Sequence, residues 1–325
     1  MPATTVYYHA DCLDGFGAAY AAWCQLGNHA RYIPLHHGDT WSPEDVIDRT
    51  VYILDFAFAP VHLREIAKLA HKLMQIDHHA SALTDCAEWV GHNPALPSFF
   101  QHPELPLTLV FDLSKSGTRL SWEHFHPHAP FPLALQHIEN QDLWHFTDPA
   151  TQPFCRALRL QEFDFANWQR IIAADPNDPQ GEYQQLLTAG NAINDFFHKE
   201  VARLCNSRLV SPARLRGEPA DALQALRHGQ PIIGDGERHW HALNGLALNT
   251  NALFASEAGH RLAEQSGSFG LTWQLAADGE VKASLRSQGD YDVATIAQRY
   301  GGGGHRNAAG FRLPLQQFIS EILGR

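Results

Sequence analysis

Four short stretches carry acids and imidazoles at spacings that could do chemistry: His9-Ala10-Asp11-Cys12-Leu13-Asp14-Gly15, Ile53-Leu54-Asp55, Ile76-Asp77-His78-His79 and Glu139-Asn140-Gln141-Asp142. Each follows an apolar or helix-patterned run, and in a parallel sheet the carboxyl ends of strands are where ligands collect. Taken as one set, His9, Asp11, Asp14, Asp55, His78 and Asp142 mix imidazole with carboxylate, a donor set suited to Mn²⁺, Mg²⁺ or Zn²⁺. Four carboxylates are enough to hold two divalent ions with one carboxylate shared. Two ions about 3.5–4 Å apart suit displacement at phosphorus, because they activate a hydroxide and neutralise the charge that builds in the transition state. The ordinary alternative makes Asp11 and Asp14 turn residues, Asp55 a strand-end cap and Asp142 a helix-end residue. A histidine pair alone means little in a chain with 21 His; the recurrence of four acidic ends favours a site.

A second constellation lies near the C-terminus. Gly301-Gly302-Gly303-Gly304 is followed by His305-Arg306-Asn307, and Arg286-Ser287 ends the run Ala283-Ser284-Leu285. Glycines allow backbone N–H groups to approach an anion closely, so Arg286, Ser287, Gly302, Gly303, Gly304 and His305 are candidates for a phosphate or nucleotide clamp. A flexible joint is the competing account of the glycines. Gly15 and Gly17 read as a tight strand-to-helix turn that holds no ligand.

The elements needed to position these residues follow from the apolar pattern. Thr5 to His9, Arg31 to Leu35, Val51 to Asp55 and Leu73 to Asp77 read as strands; Phe16 to Leu26 and Pro60 to about Ala70 read as helices between them. Strands alternating with helices make a parallel sheet. Ala80 to Pro106 reads as irregular. Helices are expected around Ser116 to Phe125, Phe131 to Asn140 (placing Asp142 just beyond a helix end) and Asn167 to Ala174, then one long helix over Glu182 to Cys205. Strand-like runs near Trp240 to Leu248, Ser268 to Leu275 and Val281 to Arg286, with helices near Leu253 to Gln265 and Val293 to Tyr300, read as α+β. The expected organisation is α/β: a parallel-sheet domain over 1–180, a helical linker over 181–206 and a smaller α+β domain over 207–325.

Composition narrows the function. The 325 residues hold 24 Lys+Arg against 35 Asp+Glu, a net charge of −11 with His neutral, and no Lys/Arg-rich run. A protein that tracks along a long nucleic acid needs a basic groove to displace counterions, so long polymers are not expected as substrates. No apolar run approaches the ~20 residues of a membrane span, and the expected location is the cytoplasm. The five Cys form no CxxC pair and read as reduced thiols.

On these residues the chain resembles the DHH–DHHA1 phosphoesterase superfamily, close to its oligoribonuclease and nucleotide phosphatase group and related to RecJ and the family II pyrophosphatases. Asp77-His78-His79 matches the motif that gives the superfamily its name. Ser284-Leu285-Arg286-Ser287, Gly301–His305 and Ala308-Ala309-Gly310-Phe311 match the signature of the C-terminal DHHA1 domain. The resemblance implies one metal held by His9, Asp11 and Asp55 and another by Asp14, Asp55, His78 and Asp142, with Asp55 bridging. It implies that His79 hydrogen-bonds the scissile phosphate and that Asp77 orients an imidazole. The expected ions are two Mn²⁺, with Mg²⁺ or Co²⁺ as substitutes. The family's first motif usually separates its two aspartates by one residue, whereas Cys12 and Leu13 both stand between Asp11 and Asp14, so which metal each serves stays open. The implied activity is hydrolysis of short oligonucleotides or small nucleotides. Inorganic polyphosphate or pyrophosphate hydrolysis, cleavage of cyclic dinucleotides and a non-catalytic nucleotide-binding module are the alternatives, and a homodimer stays open.

Overall fold

The computed structural model describes residues 3–36, 38–92, 94–217, 232–234 and 239–324. These divide into two compact units, Met1–Asn194 and Asp195–Arg325.

In the first unit, β1 (Thr4–His9), β2 (Ala30–Leu35), β3 (Thr50–Leu54), β4 (Lys72–Asp77), β5 (Ser98–Gln101) and β6 (Leu107–Phe111) form a sheet in the order β2-β1-β3-β4-β6-β5. All neighbouring pairs are parallel except β5 with β6, at one edge. Side chains alternate between two covered faces. Tyr7, Ile53, Leu73 and Leu109 pack with Leu63 and Ile66 of α2 (Pro60–Leu69). Val6, Leu54, Met74 and Ile76 pack instead with Ala18 and Ala22 of α1 (Leu13–Leu26) and Leu120 of α5 (Gly117–Phe125). Burial on both faces is why these strands read as near-continuous apolar runs. Each such side chain contributes roughly 1.5–3 kcal/mol by leaving water.

The structure departs from these expectations in four places. The segment 80–106 is not irregular throughout: it holds α3 (Ala80–Asp85), α4 (Ala87–Val90) and the edge strand β5. β6 (Leu-Thr-Leu-Val-Phe), a buried-strand run absent from the expected elements, lies between β4 and β5. Gly15 and Gly17 lie inside α1, which starts at Leu13 rather than Phe16, so Asp14 belongs to its first turn. Asp142 is the last residue of α6 (Leu133–Asp142). α7 (Thr151–Leu158) and α8 (Phe165–Ile172) complete the helical part, where Phe154 and Trp168 pack with Tyr183 and Leu186.

Tyr183 and Leu186 open α9 (Glu182–Cys205), the helix expected as a linker. Its later residues Phe197, Val201 and Cys205 pack with Leu248, Ala258 and Leu262 of the second unit, so each half is tied into a different core. The second unit contains β7 (Ser211–Gly217), β8 (Ile232–Gly234), β9 (His239–Asn249), α10 (Ala255–Ser266), β10 (Phe269–Leu275), β11 (Glu280–Ser287), α11 (Val293–Gln298), β12 (Gly303–His305) and β13 (Ala308–Pro314). The sheet order is β12-β13-β11-β10-β9-β7, with β8 also on β9. β9 and β10 are parallel and the other pairs antiparallel. Val281, Ala283 and Leu285 alternate inward on β11 and meet Val293 and Ile296 of α11. Among the described residues, no helix is long and apolar enough to cross a membrane.

Candidate metal centre

Register across three strands assembles the centre. Tyr8 pairs with Leu54 and Leu54 with Ile76, so the next residue on each strand places His9, Asp55 and Asp77 side by side at the carboxyl end of the sheet. Asp14 enters from the first turn of α1 and Asp142 from the end of α6. Two glycines make the close approaches. A Cβ on Gly15 would lie 2.2 Å from the His9 carbonyl oxygen, and one on Gly117 would lie 2.5 Å from the Asp55 Cβ.

His78 Nε2 is 3.2 Å from Asp55 Oδ1, 3.6 Å from Asp14 Oδ2 and 3.6 Å from Asp142 Oδ2. The other Asp55 oxygen faces His9 Nδ1 at 3.8 Å. Asp55 thus presents one oxygen to each imidazole, the arrangement a shared carboxylate requires. Asp14 is held by α5: Gly117 N–H donates to its Oδ2 at 2.7 Å and Thr118 N–H to its Oδ1 at 2.9 Å, so amides of the α5 N-terminus that have no partner within the helix orient it. Asp55 Oδ1 is buried and faces the His78 imidazole. Three acids converging on one buried imidazole fit a divalent cation, which meets the cost of burying like charges.

The electrostatics agree. Burial, then the charges of Asp55 and Asp142, push Asp14 well above the usual carboxylate range. Asp142 rises to about 6, chiefly through burial. Burial also works against the Asp55 charge, but His78 and His9 hold its carboxyl below the ordinary range. Burial disfavours a proton on His78, yet Asp55, Asp14 and Asp142 lift its pKa to about 10. Without cations, that proton is a positive charge shared by three acids; ligation of a metal by the ring displaces it.

Asp77 is fully buried and lies beside His79 rather than His78, with Oδ1 2.7 Å from His79 Nδ1. Burial opposes charge on His79, but the Asp77 hydrogen bond and carboxylate hold its pKa up to about 9. Asp77→Asn should therefore lower turnover by roughly 10–100-fold. It should also move the His79 titration down from about 9 toward 6.5. An NMR pH titration of the ring reads this directly, and an unmoved titration would remove Asp77 from that role.

The structure does not bring Asp11 to this cluster. Its backbone takes a left-handed φ of 52°, and its side chain, 89% exposed, pairs with His36 Nε2 at 3.1 Å. Cys12 is there instead: a coordinating atom each from His9, Cys12 and Asp55 all lie within 4.8 Å of one another. Burial, then the charges of Asp55 and Asp14, holds this thiol well above its ordinary range. The signal was present in the sequence, since Cys12 stands one residue from Asp14, the spacing the resemblance expected between two aspartates.

In the second unit, Arg286 and His305 lie in one row across the sheet, both opposite Ala308, and therefore on the same face. The Arg286 guanidinium donates to Ser256 Oγ at 2.7 Å and to the Leu285 carbonyl at 2.8 Å. Ser287 is buried; its hydroxyl donates to the Tyr291 carbonyl at 2.5 Å and accepts from Asn307 Nδ2 at 3.0 Å, tying the loop 288–291 to β11. The glycine run is no flexible joint. Gly303 and Gly304 pair with β13, and a Cβ on Gly302 would lie 2.0 Å from the Gly310 carbonyl oxygen and one on Gly304 2.5 Å from that of Ala308. Close strand packing thus accounts for these two glycines, while Gly303 borders open space.

Residues 249–324 match the family model of the DHHA1 domain. A protein of Acanthamoeba polyphaga mimivirus, described only as uncharacterised, is 27% identical over 330 residues, covering 94% of this chain and 66% of its own length. Among solved structures, RecJ from Thermus thermophilus in complex with Mn²⁺ aligns with 98% of this chain and 50% of its own, at 15% identity and a TM-score of 0.46. A pGpG-specific phosphodiesterase from Vibrio cholerae aligns with 97% of this chain and 94% of its own, at 11% identity and a TM-score of 0.37. The chain spans just under two thirds of the curated relative and half of that RecJ chain. The expectation of a DHHA1 domain toward the C-terminus is borne out over residues 249–324.

Proposed function

We propose that this chain is a metal-dependent phosphoesterase that hydrolyses short oligonucleotides or small nucleotides. The observation that carries the reading is the convergence of Asp14, Asp55 and Asp142 on His78, with the second Asp55 oxygen turned to His9. When bound, a pair of divalent ions supplies positive charge to the reacting phosphate and lowers the pKa of water. Mn²⁺ is the first ion to try, with Mg²⁺ and Co²⁺ beside it.

The protein's own groups do the positioning. Asp55 ties both halves of the centre together, and Asp14 is locked by two backbone amides, so neither needs to reorganise during reaction. His79, protonated at neutral pH and steered by Asp77, donates a charge-assisted hydrogen bond to a phosphate oxygen. In the C-terminal unit, Arg286 and His305 share a sheet face and offer cationic and hydrogen-bonding groups that suit a nucleotide. The net charge of −11 disfavours long polyanions.

The test is phosphate or nucleotide release from chelator-stripped, Mn²⁺-reloaded protein. A dinucleotide, a pentanucleotide, a long single strand, a cyclic dinucleotide and pyrophosphate are compared at two salt concentrations. The dinucleotide and pentanucleotide should be cleaved fastest, with a shallow salt dependence. Processive cleavage of the long strand with a steep salt dependence would overturn the length assignment. Turnover of pyrophosphate alone would make the protein a pyrophosphatase, and binding without turnover of any substrate would make it a nucleotide-binding module.

A further inference from the structure

Cys12 has no place in the ligand sets implied by the resemblance, yet the structure puts it inside the centre. It is the N-cap of α1, with extended φ and ψ of −120° and 136°, and its side chain makes no capping hydrogen bond. Its neighbours in the cluster are His9 and Asp55, the two groups expected to share an ion with Asp11. Asp11 points to solvent, and the Asp55 oxygen turned toward His9 is Oδ2, 3.8 Å from its Nδ1.

From this geometry we infer that Cys12 is a thiolate ligand to the ion held by His9 and Asp55, in the position expected of Asp11. The inference rests on the two-ion reading above. Ligation replaces the S–H bond by a sulfur–metal bond, and the proton leaves to solvent. The two positions then differ in kind. Asp14, Asp55, His78 and Asp142 offer oxygen and imidazole donors suited to Mn²⁺ or Mg²⁺. His9, Cys12 and Asp55 include a soft sulfur that favours Zn²⁺ or Co²⁺. A centre with one ion of each type is the expected resting composition when both are supplied.

The experiment uses full-length, chelator-stripped protein and reads binding rather than turnover. Loaded with Co²⁺, the wild type should show a thiolate-to-cobalt charge-transfer band in the near ultraviolet and two ions per chain by elemental analysis. Cys12→Ser should lose the band and bind fewer ions, while Cys12→Asp should lose the band and regain a second ion. In unaltered protein, Zn²⁺ should slow alkylation of Cys12 by iodoacetamide, followed by peptide mass, roughly ten-fold or more. Exposed Cys24 is the internal control and should not change. Two bound Co²⁺ with no charge-transfer band, or no protection of Cys12 by Zn²⁺, would overturn the ligand assignment and leave the two-ion reading intact. No bound ion in the wild type would overturn both.

Discussion

Asp55→Asn removes hydrolysis almost entirely, with an expected fall of roughly 10²–10⁴-fold in kcat/KM. The size follows from the ~3–5 kcal/mol lost when one member of a buried charge cluster is removed. Asp55 is 2% exposed and faces a different imidazole with each oxygen. An asparagine keeps one oxygen and turns an N–H₂ donor toward the other ligand set, so both ion positions weaken together. Backbone disruption does not explain the loss, because Asp55 has a φ of 50° and asparagine tolerates that left-handed region well. Asp11→Asn provides the contrast: its carboxylate is exposed and paired only at the surface, so the rate should change less than about 3-fold. Metal content of both variants should be measured beside the kinetics. Full turnover by Asp55→Asn protein would sink the shared-carboxylate assignment.

Stripping divalent cations should lower the melting temperature by roughly 5–10 °C at neutral pH. An ion at about a hundred times its Kd contributes ~2.7 kcal/mol. Each kcal/mol moves the midpoint of a domain this size by about 2–4 °C. The loss should widen as pH rises. In the stripped protein the His78 pKa stands at about 10 against an ordinary 6.5, so its contribution is full below 6.5 and disappears as pH rises through 10. Asp142, raised from 3.8 to about 6, acts in the same sense at lower pH. In the loaded protein the ring is a neutral ligand, and this dependence is absent. Scanning calorimetry of stripped and reloaded protein between pH 6.5 and 9 measures the gap; equal midpoints throughout would show that no cation compensates the acids.

Much of the centre was legible in the sequence because its information is local. A strand buried on both faces reads as an apolar run, and an acid or imidazole directly after such a run must stand at the end of the sheet; His9, Asp55, Asp77 and His78 could be placed this way. The DHHA1 part was legible for a related reason. Gly302 and Gly304 meet β13 too closely for a Cβ, so this part of the glycine pattern is written into the chain.

What only the tertiary structure decided is which neighbour in a turn faces the centre. Asp11 and Cys12 are adjacent, and a left-handed backbone at Asp11 sends its carboxylate to His36 while the thiol stays beside Asp55. No composition or period reports a single dihedral angle. Nor could it report that the α5 amides hold Asp14, 103 and 104 residues distant in sequence, or that Asp77 serves His79 rather than His78. Those contacts depend on how helices close over the strand ends, and packing across the whole unit sets that geometry.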